Sequence, residues 1–326
     1  MNLRLAIYQL AAANRLAPAA TARLLSLAGL EDEPASLVPR FWRTVAILAA
    51  ALGGLGLVMW IAANWDTLGR GGRFALLQAL VAVMLIGAAW RRPLRAPLGL
   101  LALLGIGGLF AYFGQTYQTG ADPWQLFALW AVLALPLCLA VRSDVLWTPW
   151  AVVVMTGISL WTQAHTGHSW RVRPEDLPSH LIGFAASALL VLLMSDIAKR
   201  WTGAGMWAQR TASTLFVIAV TLTALGGLFS TKVAPHFWLG LALLAAAVAW
   251  LSTRRGFEVF ALSAVALGLN ALVLCGLGRL LFDNNSGNAI GAFLLMGLVS
   301  AGLLAASVHG ILRLTRHHAS TQQVAP

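Results

Sequence analysis

The sequence predicts an all-α, polytopic integral membrane protein, a bundle of about ten transmembrane helices preceded by a small cytosolic helical hairpin. The first observation is composition: 59% of the 326 residues are apolar, only 10% are charged, and the mean hydropathy is +0.78. So little polar surface cannot cover a soluble domain of this size. The second is that the apolar residues form nearly uncharged runs of the length that a bilayer requires, about 17 to 25 residues.

Residues 1–43 precede the first apolar run and are predicted to form a cytosolic helical hairpin and linker. Asn14 and Gly29 are typical helix ends and Pro18 suits a first helical turn, so the helices should cover residues 3–13 and 18–29. A unit of about forty residues is too small for a core of its own. We therefore expect the hairpin to rest on the membrane or on a partner.

Residues 44–312 are predicted to form the transmembrane bundle. Its ten segments are 44–63, 74–90, 97–113, 126–141, 145–162, 181–195, 211–230, 237–252, 257–275 and 290–312. The fourth, sixth and eighth segments are short, so nine and eleven spans are the alternatives. Residues 313–326 are polar and are predicted to be a disordered cytosolic tail.

The basic residues are unevenly distributed between the two sides of this bundle. Of the 22 Lys and Arg residues, sixteen lie in the N-terminal segment, the even-to-odd connections and the C-terminal tail, and six lie on the other side. The positive-inside rule then places both termini in the cytoplasm. The net charge of +11 thus indicates orientation and contact with anionic lipid rather than nucleic-acid binding. The lipid bilayer is the expected partner; a second membrane protein and the oligomeric state stay open.

The sequence lacks the motifs of familiar membrane chemistry. It contains no Walker A loop, nucleophile elbow, paired metal-binding histidines on a helix or cysteine cluster. Every carboxylate falls at a segment end or in a loop, whereas ion-coupled transporters usually place one near the bilayer midplane. Cys138 and Cys275 fall inside predicted spans, where they are expected to be small core residues. No cofactor, metal or catalytic residue is predicted.

Polar and aromatic residues are concentrated after the first and third segments, which end on the same side of the membrane. Glycines in both segments permit close helix packing, so the two polar and aromatic stretches are predicted to converge on one outer-face site. Its residues are Asn64, Trp65, Asp66, Gln115, Tyr117, Gln118, Asp122 and Trp124. Aromatic rings with amides and a carboxylate suit a sugar, peptide or amphipathic head group. The alternative is that they are interfacial anchors and turn residues.

The stretch GQTYQTGADPWQLFALW, residues 114–130, and the upstream IAANWDTL, residues 61–68, resemble a bacterial membrane-protein family known as domain of unknown function 2157. The likeness covers about the first 150 residues, including the N-terminal hairpin, with its signature in residues 44–141. It implies a multi-pass protein of the bacterial inner membrane. The family carries no established activity or catalytic residue.

Three further features of the sequence each allow two interpretations. An offset of 52 sets residues 64–67 over 116–119, which indicates either duplicated hairpins or the coincidences of apolar sequence. The connection 163–180 holds His165, His168 and His180, which are expected to be solvated rather than metal ligands because their spacing matches no standard site. Asn270, inside a late segment, is expected to join two helices or, less often, to touch a ligand.

Two classes of function agree with these observations. The lack of midplane charges favours a binding, sensing or scaffold component that uses the outer-face site. The number of spans also suits a transporter of a small-molecule or lipid-linked substrate, and a membrane enzyme acting on an envelope glycan or lipid is a further alternative. A polar cavity that reaches the middle of the bundle would favour transport.

Overall fold

The computed structural model is all-helical in the part of the chain that it describes, residues 3–29, 37–63, 69–117, 120, 122–167, 172–253, 256–283 and 289–323. The thirteen helices there are α1 Leu3–Ala13, α2 Pro18–Leu27, α3 Leu37–Ala63, α4 Arg70–Trp90, α5 Arg95–Tyr117, α6 Pro123–Val141, α7 Asp144–His165, α8 Leu177–Met194, α9 Lys199–Thr202, α10 Met206–Leu228, α11 Pro235–Leu251, α12 Val259–Asp283 and α13 Ala289–Gln323. Each of the ten predicted segments falls largely within one of these helices, so the predicted fold class is confirmed.

Among the described residues, nine helices are long and apolar enough to cross a membrane, and α11, with 17 residues, is the shorter tenth. A helix of 17 residues lies at the lower limit for a membrane span. The chain divides into two compact units, residues 1–55 and 56–326, with the boundary inside α3.

In the first unit, α1 and α2 form the predicted pair of helices. Asn14 ends α1, and both its main-chain N and its Nδ2 donate to the carbonyl oxygen of Leu10. Pro18 begins α2, and Gly29 follows that helix in the left-handed region at a φ of 63°. Between them the helices bury Ala11 and Leu25, while most of their other apolar side chains stay exposed.

In the second unit, α10 is the central helix, because it packs against α7, α8, α11 and α12. One apolar core joins α6, α7, α8 and α10 around the buried Trp147, and a second joins α8, α10, α11 and α12 around Val220 and Leu244. Small residues allow the close approach: a Cβ on Gly240 of α11 would lie 2.5 Å from the Cβ of Ala224 on α10.

Successive long helices of this unit run in opposite directions, so their connections lie on two faces. We call the face of the α4–α5, α6–α7, α8–α10 and α11–α12 connections the basic face, because it carries the even-to-odd connections in which Lys and Arg are concentrated. We call the other face, with the α5–α6, α7–α8, α10–α11 and α12–α13 connections, the opposite face.

Several helices are longer than the sequence predicts. The third segment was expected to end at 113, but α5 continues to Tyr117; the ninth was expected to end at 275, but α12 continues to Asp283. In α12 the reason is Arg279, whose guanidinium donates to the carbonyl oxygens of Ser230 and Thr231 at 2.8 and 3.1 Å and to Asp283 at 3.0 Å. Because these partners satisfy its guanidinium group, Arg279 continues α12 rather than ending it.

The C-terminal tail also differs from the prediction. Residues 313–323, expected to be disordered, continue α13 to Gln323. Neither proline nor glycine interrupts this stretch, so the helix started by the apolar part of α13 extends through it at little cost, because adding a residue to an existing helix is far easier than nucleating one.

Asn270 joins two helices, as expected. Its Nδ2 on α12 donates to the Oγ of Ser307 on α13 at 2.9 Å. The amide is 8% exposed, and within apolar surroundings such a side chain needs a partner. Cys138 is buried and Cys275 is half-buried, and both thiols are free.

Candidate functional site

The outer-face site predicted from the sequence lies partly outside the described residues, because Asn64, Trp65, Asp66 and Gln118 are not among them. Gln115 and Tyr117 lie on the last turn of α5 rather than in the following turn, and both are exposed. The ring centroid of Tyr117 is 5.8 Å from that of Phe74 on α4. The convergence of all eight residues therefore stays a prediction.

The two remaining members of that set begin α6. Asp122 precedes the first helical residue, Pro123, and its side chain makes no capping hydrogen bond there. Trp124 is half-buried and its ring centroid lies 6.4 Å from that of His165 on α7. Thus Trp124 packs towards α7, whereas Tyr117 packs towards α4.

A different group of residues forms a polar cavity of about 270 Å³ in the second unit. Helices α7, α8 and α10 form its walls, and Thr166 and Val172 of the α7–α8 connection place it on the opposite face. Hydrogen-bonding side chains are frequent among its described lining residues: Ser159, Thr162, Gln163, Thr166, His180, Ser187 and Thr223. Ser187 lies near the middle of α8, so the cavity reaches about halfway along the bundle.

His180 lines this cavity and was wrongly expected to be a solvated loop residue. Helix α8 begins at Leu177, four residues earlier than the predicted segment, so His180 is helical and only 9% exposed. Its Nδ1 lies 3.0 Å from the carbonyl oxygen of Asp176. Because a carbonyl only accepts hydrogen bonds, Nδ1 carries a proton and donates it to this oxygen.

A second histidine, His236, which the sequence analysis missed, packs against His180. His236 of α11 is 0% exposed and its ring centroid is 4.8 Å from that of His180, with the two rings nearly perpendicular. Neither of its ring nitrogens has a hydrogen-bond partner among the described residues. A buried polar group without a partner is rare and usually has a functional or solvent-related reason. No group of three or more metal-ligating side chains occurs in this described part of the chain.

An apolar cleft of about 460 Å³ enters the same unit from the basic face. It lies between α8 and α11 and is floored by α10 and α12, with Val191, Phe216, Leu243 and Ala247 among its walls. Most of its polar groups lie at the mouth, namely Ser195, Asp196, Gln209 and Glu258. Since α8 and α11 meet at His180 and His236 near the opposite face, the two helices separate towards the basic face.

One polar group lies deeper in the apolar cleft. Ser213 of α10 lines the cleft, is 4% exposed, and its Oγ has no hydrogen-bond partner among the described residues. Its counterpart in the polar cavity is Ser187 of α8, which is 2% exposed. The two recesses therefore share α8 and α10 as walls, and each presents a buried serine hydroxyl.

An apolar barrier separates the recesses. Phe184 lines the polar cavity, Val217 lines the apolar cleft, and both belong to the buried cluster around Val220. These buried side chains lie between the two recesses, in a core whose packing density is that of organic crystals.

The helices define a polytopic α-helical membrane protein. Residues 8–147 match the family model described as a predicted membrane protein (DUF2157), which confirms the resemblance over about the first 150 residues. No curated protein and no solved structure matches the chain. The family match ends before the first residue of either recess, Ile158, so it says nothing about their role.

Proposed function

We propose that the protein is a membrane carrier that moves a small amphipathic molecule along α8 and α10. The observation that carries this proposal is the pair of recesses that enter from opposite faces and share these two helices as walls. A polar cavity that extends to the level of Ser187 is the feature that favours transport over a purely structural role. In a carrier of this kind, one recess opens as the other closes, which requires two discrete packings of the same helices.

The ligand class follows from the different polarity of the recesses. The polar cavity supplies hydroxyl, amide and imidazole groups, whereas the apolar cleft supplies mainly aliphatic and aromatic walls with polar groups at its mouth. A molecule that contacts both therefore needs a hydrogen-bonding part and an apolar part. Ligand pockets commonly combine a few orienting polar groups with an apolar lining in this way.

The basic asymmetry supports an orientation for this carrier. With the basic face in the cytoplasm, the apolar cleft opens at the cytoplasmic leaflet and the polar cavity opens towards the cell exterior. In a bacterium this membrane is the inner membrane. The acidic side chains Asp196 and Glu258 would then lie at the level of the cytoplasmic lipid head groups.

Cysteine accessibility tests the proposal. In a background with Cys138→Ala and Cys275→Ala, we expect Ser187→Cys to react with a membrane-impermeant thiosulfonate added outside intact cells. Ser213→Cys should react when the reagent is added to inside-out vesicles. The matched control is Leu189→Cys, since Leu189 lies on the same helix, is 57% exposed and lines neither recess. A thiol facing hydrocarbon remains protonated and unreactive.

The outcome is decisive in both directions. Rapid labelling of Ser187→Cys and Ser213→Cys from opposite sides, with Leu189→Cys inert, supports a carrier. If Ser187→Cys is as inert as Leu189→Cys, the cavity does not open to the outside solution and the carrier proposal is wrong.

A binding or sensing role is the second candidate, and the first unit favours it. In this hairpin Leu5, Tyr8, Leu10 and Leu27 are 58%, 52%, 56% and 78% exposed. Exposed apolar side chains at this density mark a surface that contacts a partner or a membrane. Deletion of residues 3–29 would separate the two functions: a sensor loses its response, whereas a carrier keeps the labelling pattern of Ser187→Cys and Ser213→Cys.

A further inference from the structure

We infer that the polar cavity binds an uncharged group rich in hydroxyls or amides, such as a sugar, with the Oγ1 atom of Thr162 as an acceptor and His180 as a further contact. This inference rests on the carrier proposal and specifies its ligand. It concerns the cavity walls of α7 and α8, not the residues predicted from the sequence at the ends of α3 and α5.

The first argument is the charge of the cavity. Apart from the imidazole of His180, none of the described residues that line it is ionisable. A charged ligand group held against these walls would lose part of its hydration without gaining a counter-ion, which is costly. The described walls therefore favour an uncharged group.

The second argument is the direction of the hydrogen bonds. The Oγ1 atoms of Thr162 and Thr166 already donate to the carbonyl oxygens of Ile158 and Gln163, at 3.0 and 3.3 Å. Each hydroxyl has one proton and two lone pairs, so what it still offers is acceptor capacity. The Nδ1 atom of His180 is engaged with the carbonyl oxygen of Asp176, so Nε2 is the ring nitrogen left for a ligand. Gln163, Ser159, Ser187 and Thr223 carry donors as well, so the described walls offer both donors and acceptors. Sugar hydroxyls and amides, which both donate and accept, match such walls.

The third argument is the size of the cavity, whose walls pack closely at Thr162. Gly183 of α8 faces this hydroxyl, and a Cβ at that position would lie 2.5 Å from its Oγ1 atom. A volume of about 270 Å³ is slightly below the range of about 300 to 1,000 Å³ of typical ligand pockets. It suits one sugar ring rather than an oligosaccharide.

His236 acts through His180. It packs edge-on against the His180 ring at a centroid distance of 4.8 Å and does not line the cavity. It is therefore a positioning residue, which keeps the His180 ring in the orientation that directs Nε2 away from Asp176.

Protection of Ser187→Cys from labelling tests the inference in the full-length protein. The probes are octyl glucoside, octyl phosphocholine and octyltrimethylammonium, each below its critical micelle concentration, and free glucose. We expect octyl glucoside to slow labelling and the two charged amphiphiles, which have the same chain, to have little effect. Protection by glucose alone would identify a free solute, whereas protection only by the glucoside would identify an amphiphile; either result supports the recognition of an uncharged donor group.

Two variants complete the test. Thr162→Val removes one acceptor with little change of shape and should weaken protection by octyl glucoside roughly two- to tenfold, the effect of one net hydrogen bond. Thr156→Val is the matched control, because Thr156 lies on the same helix, donates to Val152 and does not line the cavity. Equal protection by all three amphiphiles, or no effect of Thr162→Val, overturns the inference while the carrier proposal stands. Failure of Ser187→Cys to react at all overturns both.

Discussion

The Oδ1 atom of Asp144 accepts a hydrogen bond from the main-chain N–H of Ala208 at 2.9 Å. The same carboxylate accepts from the N–H groups of Gly205 and Trp207, at 3.1 and 2.8 Å. Asp144 begins α7, whereas these donors are the N–H groups of the N-cap residue Gly205, which has no side chain, and of the first turn of α10. The carboxylate of one helix thus caps the central helix of the unit.

This relationship predicts the effect of Asp144→Ala. Loss of an N-cap acceptor costs about 0.5 to 2 kcal/mol of stability, so we expect a lower thermal unfolding midpoint of the purified protein. Asp196→Ala is the control, because the ion pair of Asp196 with Lys199 is exposed, with side chains 81% and 58% accessible, and such pairs contribute about 0 to 1 kcal/mol. Equal midpoints for the two variants would argue against the cap.

Helix packing at α10 and α11 gives a second prediction. Gly240→Ala places a methyl group 2.5 Å from the Cβ of Ala224, and overpacking of this kind typically costs about 1 to 3 kcal/mol. Gly297→Ala on α13 is the matched control, since nothing lies within 4 Å of the added carbon. Thermal unfolding in the same detergent should show destabilisation by Gly240→Ala alone, and an unchanged midpoint would contradict the close approach of α10 and α11.

The Asn270–Ser307 hydrogen bond gives a third prediction. In a double-mutant cycle of Asn270→Ala, Ser307→Ala and the double variant, the coupling free energy should be favourable and near 0.6 kcal/mol, with about 1.7 as the upper limit for such bonds between membrane helices. Unfolding monitored by the fluorescence of the tryptophans provides the four stabilities. A coupling of zero would mean that α12 and α13 are not joined by these side chains.

Topology is a fourth prediction. Reporter fusions after residues 120 and 170 should be extracytoplasmic, and fusions after 93, 205 and 326 should be cytoplasmic, because of the basic asymmetry. Activity of alkaline phosphatase and fluorescence of green fluorescent protein distinguish the two sides. A cytoplasmic reporter after residue 120 would refute the α5–α6 hairpin orientation.

The fold was largely predictable because a bilayer admits few solutions: an apolar run must be a helix that satisfies its own backbone groups. The ends of the helices were less predictable. Arg279 is charged and was therefore expected to lie in a loop. Only its partners Ser230 and Thr231, which are distant in the chain, explain why α12 continues past it. Local sequence does not contain those partners.

The candidate site was not predictable in the same way. His180 and His236 are 56 positions apart in the chain, and their proximity depends on how α8 and α11 pack around α10. One local signal was available: each histidine closely follows a proline that lies in the first turn of an apolar helix, Pro178 and Pro235. That pattern indicates a buried first turn rather than a solvated loop.

The central claim is that the apolar cleft between α8 and α11 opens and closes, and a distance measurement tests it most directly. In the background without native cysteines, spin labels at Lys199→Cys, the first residue of α9 just after α8, and at Thr253→Cys, just after α11, report on the basic-face ends of α8 and α11. Pulsed electron–electron double resonance should give two distance populations, and their ratio should change when octyl glucoside is added. The reference pair is Met206→Cys at the start of α10 with Thr253→Cys just after α11, and it should give a single distance under both conditions. A single narrow distance for the first pair, unchanged by the glucoside, would contradict the carrier account.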